Sequence, residues 1–117
     1  MELGFIGLGK MGMNMVTRLR RDQHRIVAYD RSSDLIKQAE GQGCIGSSSL
    51  TDLIGKLSAP RAVWIMVPSG APTEETIQAV AALLQPGDTI VDGGNTRFHD
   101  DVRRAAELKK RGIHYVD

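Results

Sequence analysis

A glycine-spaced hexamer, Gly7-Leu8-Gly9-Lys10-Met11-Gly12, joins an apolar run to a helical pattern at the start of the chain. The run before it, Leu3-Gly4-Phe5-Ile6, reads as a strand. Lys10 to Arg21 carries apolar residues at Met11, Met15, Val16 and Leu19, the spacing of an amphipathic helix. A strand that becomes a helix within so few residues needs a tight turn, and Gly7 permits it. Gly9 lets the backbone come close to a pyrophosphate, and Gly12 lets the helix pack close to the strand. The helix start adds unbonded N–H groups and the positive end of its dipole. The hexamer is therefore a candidate cradle for dinucleotide phosphates.

The rest of the chain repeats the strand-then-helix alternation. Arg25 to Tyr29 reads as a strand closed by Asp30, and Ser32 or Ser33 caps a helix through about Gln42, with Gly43 as its stop. Cys44-Ile45 is a short third strand, and Ser49 or Thr51 opens a short helix to about Leu57. Residues 62–67, Ala-Val-Trp-Ile-Met-Val, form a continuous apolar run, as expected of a strand buried on both faces. Pro68, Gly70 and Pro72 punctuate a loop, and a helix begins at Thr73 and runs to about Leu84. Thr89 to Asp92 is a fifth strand, a polar helix follows from about Phe98 to Arg111, and Ile113 to Val116 starts a sixth strand. This pattern implies an α/β fold of Rossmann type. Its sheet is doubly wound and mostly parallel, in three α/β/α layers, with ligands at the carboxyl ends of the strands.

The chain of 117 residues is long enough for one domain with a real core and too short for two. A charge balance of +1 gives no reason to expect a nucleic-acid or membrane-surface partner. The arginines Arg18, Arg20, Arg21 and Arg25 read as a solvated helix end and turn. With Cys44 the single cysteine, neither an internal disulfide nor a cysteine-built metal site is available. Cys44 reads as a small buried residue, and the composition fits a reducing cytoplasm. The apolar strand begins after two residues, which leaves no room for a signal peptide, and no apolar run is long enough to span a bilayer.

Three further stretches fall at the same strand edge as the hexamer. Asp30 ends the second strand, 18 residues after Gly12, where an acid accepts hydrogen bonds from the adenosine ribose. Its charge opposes a 2′-phosphate and so favours NAD over NADP. Two like charges about 4 Å apart cost about 4 kcal/mol at an effective dielectric near 20. Arg31 pulls the other way, since a guanidinium can pair with that phosphate, and Ser32 can donate to either cofactor. The loop from Met66 through Val67, Pro68 and Ser69 to Pro72 borders the ribose and nicotinamide side. Asn95, in the loop after the fifth strand, offers donors and an acceptor for a carboxamide or a substrate hydroxyl. Alternatively it caps the helix that follows. His24, His99 and His114 are isolated and read as surface or capping residues, and no metal-ligand spacing occurs.

Together, residues 4–19, Val27 to Ser32, Ile65 to Gly70 and residues 90–117 resemble the N-terminal coenzyme domain of decarboxylating 6-phosphogluconate dehydrogenases. These stretches look most like the shorter bacterial form, and the resemblance runs over essentially the whole chain. Its most specific part is Val91-Asp92-Gly93-Gly94-Asn95 with Arg103-Arg104. Related 3-hydroxyacid dehydrogenases usually carry Asp-x-Ser-Thr there. The resemblance implies that Gly7 to Gly12, Asp30 to Ser32, Val67 to Ser69 and Asn95 contact the dinucleotide. Asn95 would also reach the substrate. It further implies a cytoplasmic homo-oligomer of the pentose phosphate pathway that converts 6-phosphogluconate to ribulose 5-phosphate and CO2, with NAD or NADP taking the hydride. Family members that use NADP commonly have Asn-Arg-Thr or Asn-Arg-Ser where this chain has Asp30-Arg31-Ser32, which favours NAD. The alternatives are a 3-hydroxyacid dehydrogenase or a non-catalytic NAD(P)-sensing module. The family's Ser-Gly-Gly substrate loop, catalytic Lys, acidic proton donor and helical domain follow the sixth strand. Residues 1–117 are thus expected to be one Rossmann domain of a longer enzyme and to contain no catalytic residue. These residues alone should bind cofactor and release no CO2 from 6-phosphogluconate. Measurable decarboxylation would place the catalytic groups within them.

Overall fold

A computed structural model describes residues 1–67, 71–93 and 98–116, with side chains at 1–67, 74–93 and 103–116. Six strands and five helices alternate along it. They are β1 (Glu2–Ile6), α1 (Lys10–Arg21), β2 (Arg25–Tyr29), α2 (Ser33–Gly41), β3 (Ile45–Gly46) and α3 (Leu50–Gly55). There follow β4 (Ala62–Ile65), α4 (Ala71–Leu83), β5 (Thr89–Asp92), α5 (Phe98–Lys110) and β6 (His114–Val116). All strand pairs are parallel, in the order β3-β2-β1-β4-β5-β6. This is the doubly wound order, with the chain reversing direction across the sheet between β1 and β4.

The side chains of successive strand residues alternate between two cores, one on each sheet face. Leu3, Phe5, Ile26 and Ala28 meet Val16 of α1 and Ala39 of α2 on one face. Ile6, Val27, Val63, Ile65 and Ile90 meet Leu53 of α3, Ile77 and Val80 of α4 and Leu108 of α5 on the other. The three-layer arrangement follows directly. Phe5 and Trp64 stack across the β1–β4 pair at 6.4 Å between ring centroids.

Most element boundaries fall within a residue or two of those expected. The α4 helix is instructive among these, beginning at Ala71 and not at Thr73. Pro72 lies in its first turn, where the missing N–H removes no intrahelical bond, so it starts the helix and does not end the loop. The third strand is shifted to Ile45–Gly46, because the Cys44 N–H is still bonded to the Ala39 carbonyl at the end of α2. In β4, Val63 and Ile65 are buried while Ala62 and Trp64 are half-buried, so one face is less covered than the apolar run suggests. Ser32 caps α2 by accepting from the Leu35 N–H, and Ser49 caps α3 by accepting from the Asp52 N–H.

At the amino ends of β4 and β5 sits Asp88, 1% exposed. Its two oxygens accept from the Arg61 N–H at 2.7 Å and the Gln85 N–H at 2.8 Å, and the Arg61 guanidinium lies 3.6 Å away. Asp88→Ala orphans both N–H groups, and the expected loss is about 2–4 kcal/mol in chemical denaturation. Because this end faces away from the carboxyl ends of the strands, NADH affinity of the folded variant should match wild type by titration.

Candidate dinucleotide-binding cleft

A cleft of about 870 Å³ opens at the carboxyl ends of the strands, where the sheet order reverses. Its floor is the β1 exit, Ile6 and Gly7, with the start of α1 at Gly9, Lys10, Met11 and Gly12. Tyr29, Asp30 and Arg31 form one side. Met66 and Val67 after β4, Gly93 after β5, and Glu75, Thr76 and Ala79 of α4 line it further, with Leu35 of α2 and Leu50 of α3. The expected contacts Gly7, Gly9, Lys10, Met11, Gly12, Asp30, Arg31 and Val67 are thus brought together. Pro68, Ser69 and Asn95 lie outside the described residues.

The three glycines of the hexamer do three different things. Gly7 has φ of +100°, and a Cβ there would come within 2.4 Å of the Met66 carbonyl oxygen, so β1 and β4 leave the sheet in close contact. A Cβ on Gly12 would lie 2.1 Å from the Gly7 carbonyl oxygen and 3.2 Å from the Phe5 ring, so α1 packs directly on the turn. A Cβ on Gly9 would meet nothing within 4 Å. Gly9 is also the residue that caps α1, yet it brings no side chain to the first N–H groups. No acidic residue stands in that first turn, and Lys10 is exposed there. The helix start therefore presents N–H donors, a positive dipole end and one cation to a space that fits an anion.

Asp30 is tied into this turn. One carboxylate oxygen accepts from the Leu8 N–H at 2.7 Å, and the other accepts from the Ser32 N–H at 2.8 Å. The Gly7 N–H donates to the Tyr29 carbonyl at 3.0 Å beside it. Asp30 and the glycine loop are thus one hydrogen-bonded unit. Each carboxylate oxygen has a second lone pair, so acceptor capacity remains. Leu8 does not line the cleft. Its side chain is fully buried and its N–H is held by Asp30, so it fixes the loop from beneath. The Ser32 hydroxyl serves α2 as its cap.

A buried ionic group stands behind the cleft wall and was not foreseen from the sequence. Arg104 of α5, 3% exposed, donates through Nε to Glu74 of α4, and its Nη1 lies 3.9 Å from Asp92 Oδ2 at the end of β5. Tyr115 donates to the same Asp92 oxygen at 3.0 Å, and Arg103 donates to Glu74 at 3.1 Å. Burial alone would raise the Glu74 carboxyl, but the hydrogen bond and charge of Arg104, followed by those of Arg103, hold it below the usual range. The stability from this pair is therefore present above the ordinary carboxylate range and is lost as pH falls through the lowered value. Burial also pushes the Cys44 thiol up, with nearby Arg20 opposing it, in keeping with a packing residue.

The α4 contribution was legible in principle. Its apolar stripe at Ile77, Val80 and Ala81 leaves Glu75, Thr76 and Ala79 on a flank that faces the cleft. Gly9→Ala and Gly12→Ala separate the two glycine roles. Gly12→Ala should lose about 1–3 kcal/mol of stability by overpacking. Gly9→Ala should stay within about 0.5 kcal/mol of wild type in the same denaturation series. NADH titration should nonetheless show the Gly9 variant weakened, and an unchanged affinity there would remove Gly9 from the binding surface.

Residues 2–117 match the family described as the NAD binding domain of 6-phosphogluconate dehydrogenase. Decarboxylating 6-phosphogluconate dehydrogenase 1 of Saccharomyces cerevisiae is 40% identical over 98% of this chain, which covers 24% of the yeast protein. The 6-phosphogluconate dehydrogenase of Plasmodium falciparum, described with its cofactor NADP+ and its substrate 6-phosphogluconate, superposes with a TM-score of 0.87 at 27% identity. That match spans 98% of this chain and 26% of the other. The 3-hydroxyisobutyrate dehydrogenase of Mycobacterium tuberculosis shares the fold at a TM-score of 0.87 and 22% identity, over 97% of this chain and 38% of that one. The chain thus spans about a quarter of the length of the 6-phosphogluconate dehydrogenases it resembles here. It belongs to the family of NAD(P)-binding domains of 6-phosphogluconate dehydrogenase.

Proposed function

We propose that this chain is the coenzyme-binding domain of a longer, cytoplasmic, homo-oligomeric enzyme that oxidises and decarboxylates 6-phosphogluconate in the pentose phosphate pathway, and that it prefers NAD. The phosphates rest on the start of α1, against the N–H groups of Lys10, Met11 and Gly12 and the open face of Gly9. Asp30 accepts from the adenosine ribose, and Arg31 and Ser32 border it. Val67, Pro68 and Ser69 run along the nicotinamide half, and Asn95 serves both the carboxamide and the sugar phosphate. Bound NAD supplies a hydride acceptor at C4 of its ring, and the protein's part within these residues is to bind and orient it. Among the described residues no helix is long and apolar enough to cross a membrane.

The observation that carries the cofactor preference is the Asp30 carboxylate at the cleft wall, next to the phosphate loop. A 2′-phosphate there faces a fixed negative charge. Calorimetry on the purified chain should give NAD binding at least about tenfold tighter than NADP. Tighter NADP binding would overturn the assignment. Asp30→Asn should move the ratio towards NADP. Its amide has a single oxygen acceptor, so one of the Leu8 and Ser32 N–H groups loses its partner. A loss of about 1 kcal/mol in stability should therefore accompany the shift. A changed stability with an unchanged ratio would assign the preference to Arg31 instead.

A further inference from the structure

Arg103 and Arg104 both pair with Glu74 of α4, yet neither residue lines the cleft. A desolvated guanidinium is expensive to bury, and apolar residues often fill such a space at equal or better stability. Arg104 is 3% exposed on α5, and its partners come from other elements. Glu74 immediately precedes Glu75 and Thr76, which line the cleft from α4. Asp92 is the last residue of β5 and immediately precedes Gly93, which lines it from the sheet. Tyr115 closes the group from β6. One guanidinium, hydrogen-bonded to Glu74 and 3.9 Å from Asp92, thus stands between the two segments that form the cleft wall on the β4–β5 side.

We infer that Arg104 is a positioning residue, which sets α4 against the end of β5 and thereby fixes the wall against which bound dinucleotide is oriented. A lysine in its place keeps the charge and loses the planar group that bonds Glu74 through Nε while holding its charge 3.9 Å from Asp92. A purely structural ion pair would alter stability alone. A clasp on the cleft wall also alters how the ligand sits once bound. The inference rests on the dinucleotide reading of the cleft.

The single tryptophan, Trp64, gives a local readout. A Cβ on Gly93 would lie 2.3 Å from its Nε1, so the indole borders the β5 exit. Indole emission overlaps the absorption of reduced nicotinamide, so energy transfer from Trp64 to bound NADH reports the distance and orientation of the ring. The test uses Arg104→Lys and the milder Glu74→Gln, whose position is 29% exposed. Each is titrated with NADH, with melting followed in parallel. Arg104→Lys should raise the NADH Kd about tenfold and change the sensitised emission at saturation. Glu74→Gln should move both readouts in the same direction by less. Lowered melting with wild-type Kd and wild-type emission at saturation would reduce Arg104 to a structural residue. Failure of both variants to fold would do the same. Wild-type protein that gives no NADH signal at all would sink the dinucleotide reading itself.

Discussion

Parallel strands cannot be joined by tight turns, so each connection must carry the chain back along the whole sheet. In this molecule the constraint places every strand exit at one edge, with β1 held between β2 and β4. The next segments after β1 and β4 depart to opposite sides, and a cleft between them follows from topology before any side chain is chosen. What the sequence adds is the closeness of the two exits. Gly7 lies so near the Met66 carbonyl that no Cβ fits, and Gly12 lies equally close to Gly7. Strand, turn and helix are thereby locked into one piece whose N–H groups face the opening.

Charged side chains shielded to different degrees divide the molecule between stability and function. Asp88 satisfies backbone N–H groups at the amino end of the sheet, far from the strand exits. Asp30 and Arg104 sit at the other end and join segments that line the cleft. Charged groups would be poor choices for holding elements together by energy alone, because desolvation offsets most of their attraction. Their value at the cleft is direction: a carboxylate or a guanidinium specifies where its partners stand, as a leucine cannot.

Much of this was legible from local pattern. The strands at Arg25–Tyr29 and Thr89–Asp92 read directly from apolar runs bounded by Asp30 and by Gly93, and the tight turn at Gly7 and the close packing at Gly12 read from spacing. Pro72 is ambiguous in sequence because a proline suits a loop and the first turn of a helix equally well, its missing N–H removing no intrahelical bond there. The Leu8–Asp30 bond spans 22 residues and the Arg104–Glu74 bond spans 30. No periodicity carries such pairings, since they exist only once the sheet order brings those elements together. The anchoring of Leu8 by Asp30 and the clasp of Arg104 on Glu74 are therefore visible only in the folded chain.

The bond from Leu8 to Asp30 joins the phosphate loop to the β2 exit without any help from a ligand. A loop ordered in this way loses little further freedom when a dinucleotide arrives, so the entropy of ordering it falls on folding and not on association. Binding at this half of the cleft is then governed by encounter and by surface burial, with no slow loop closure ahead of it.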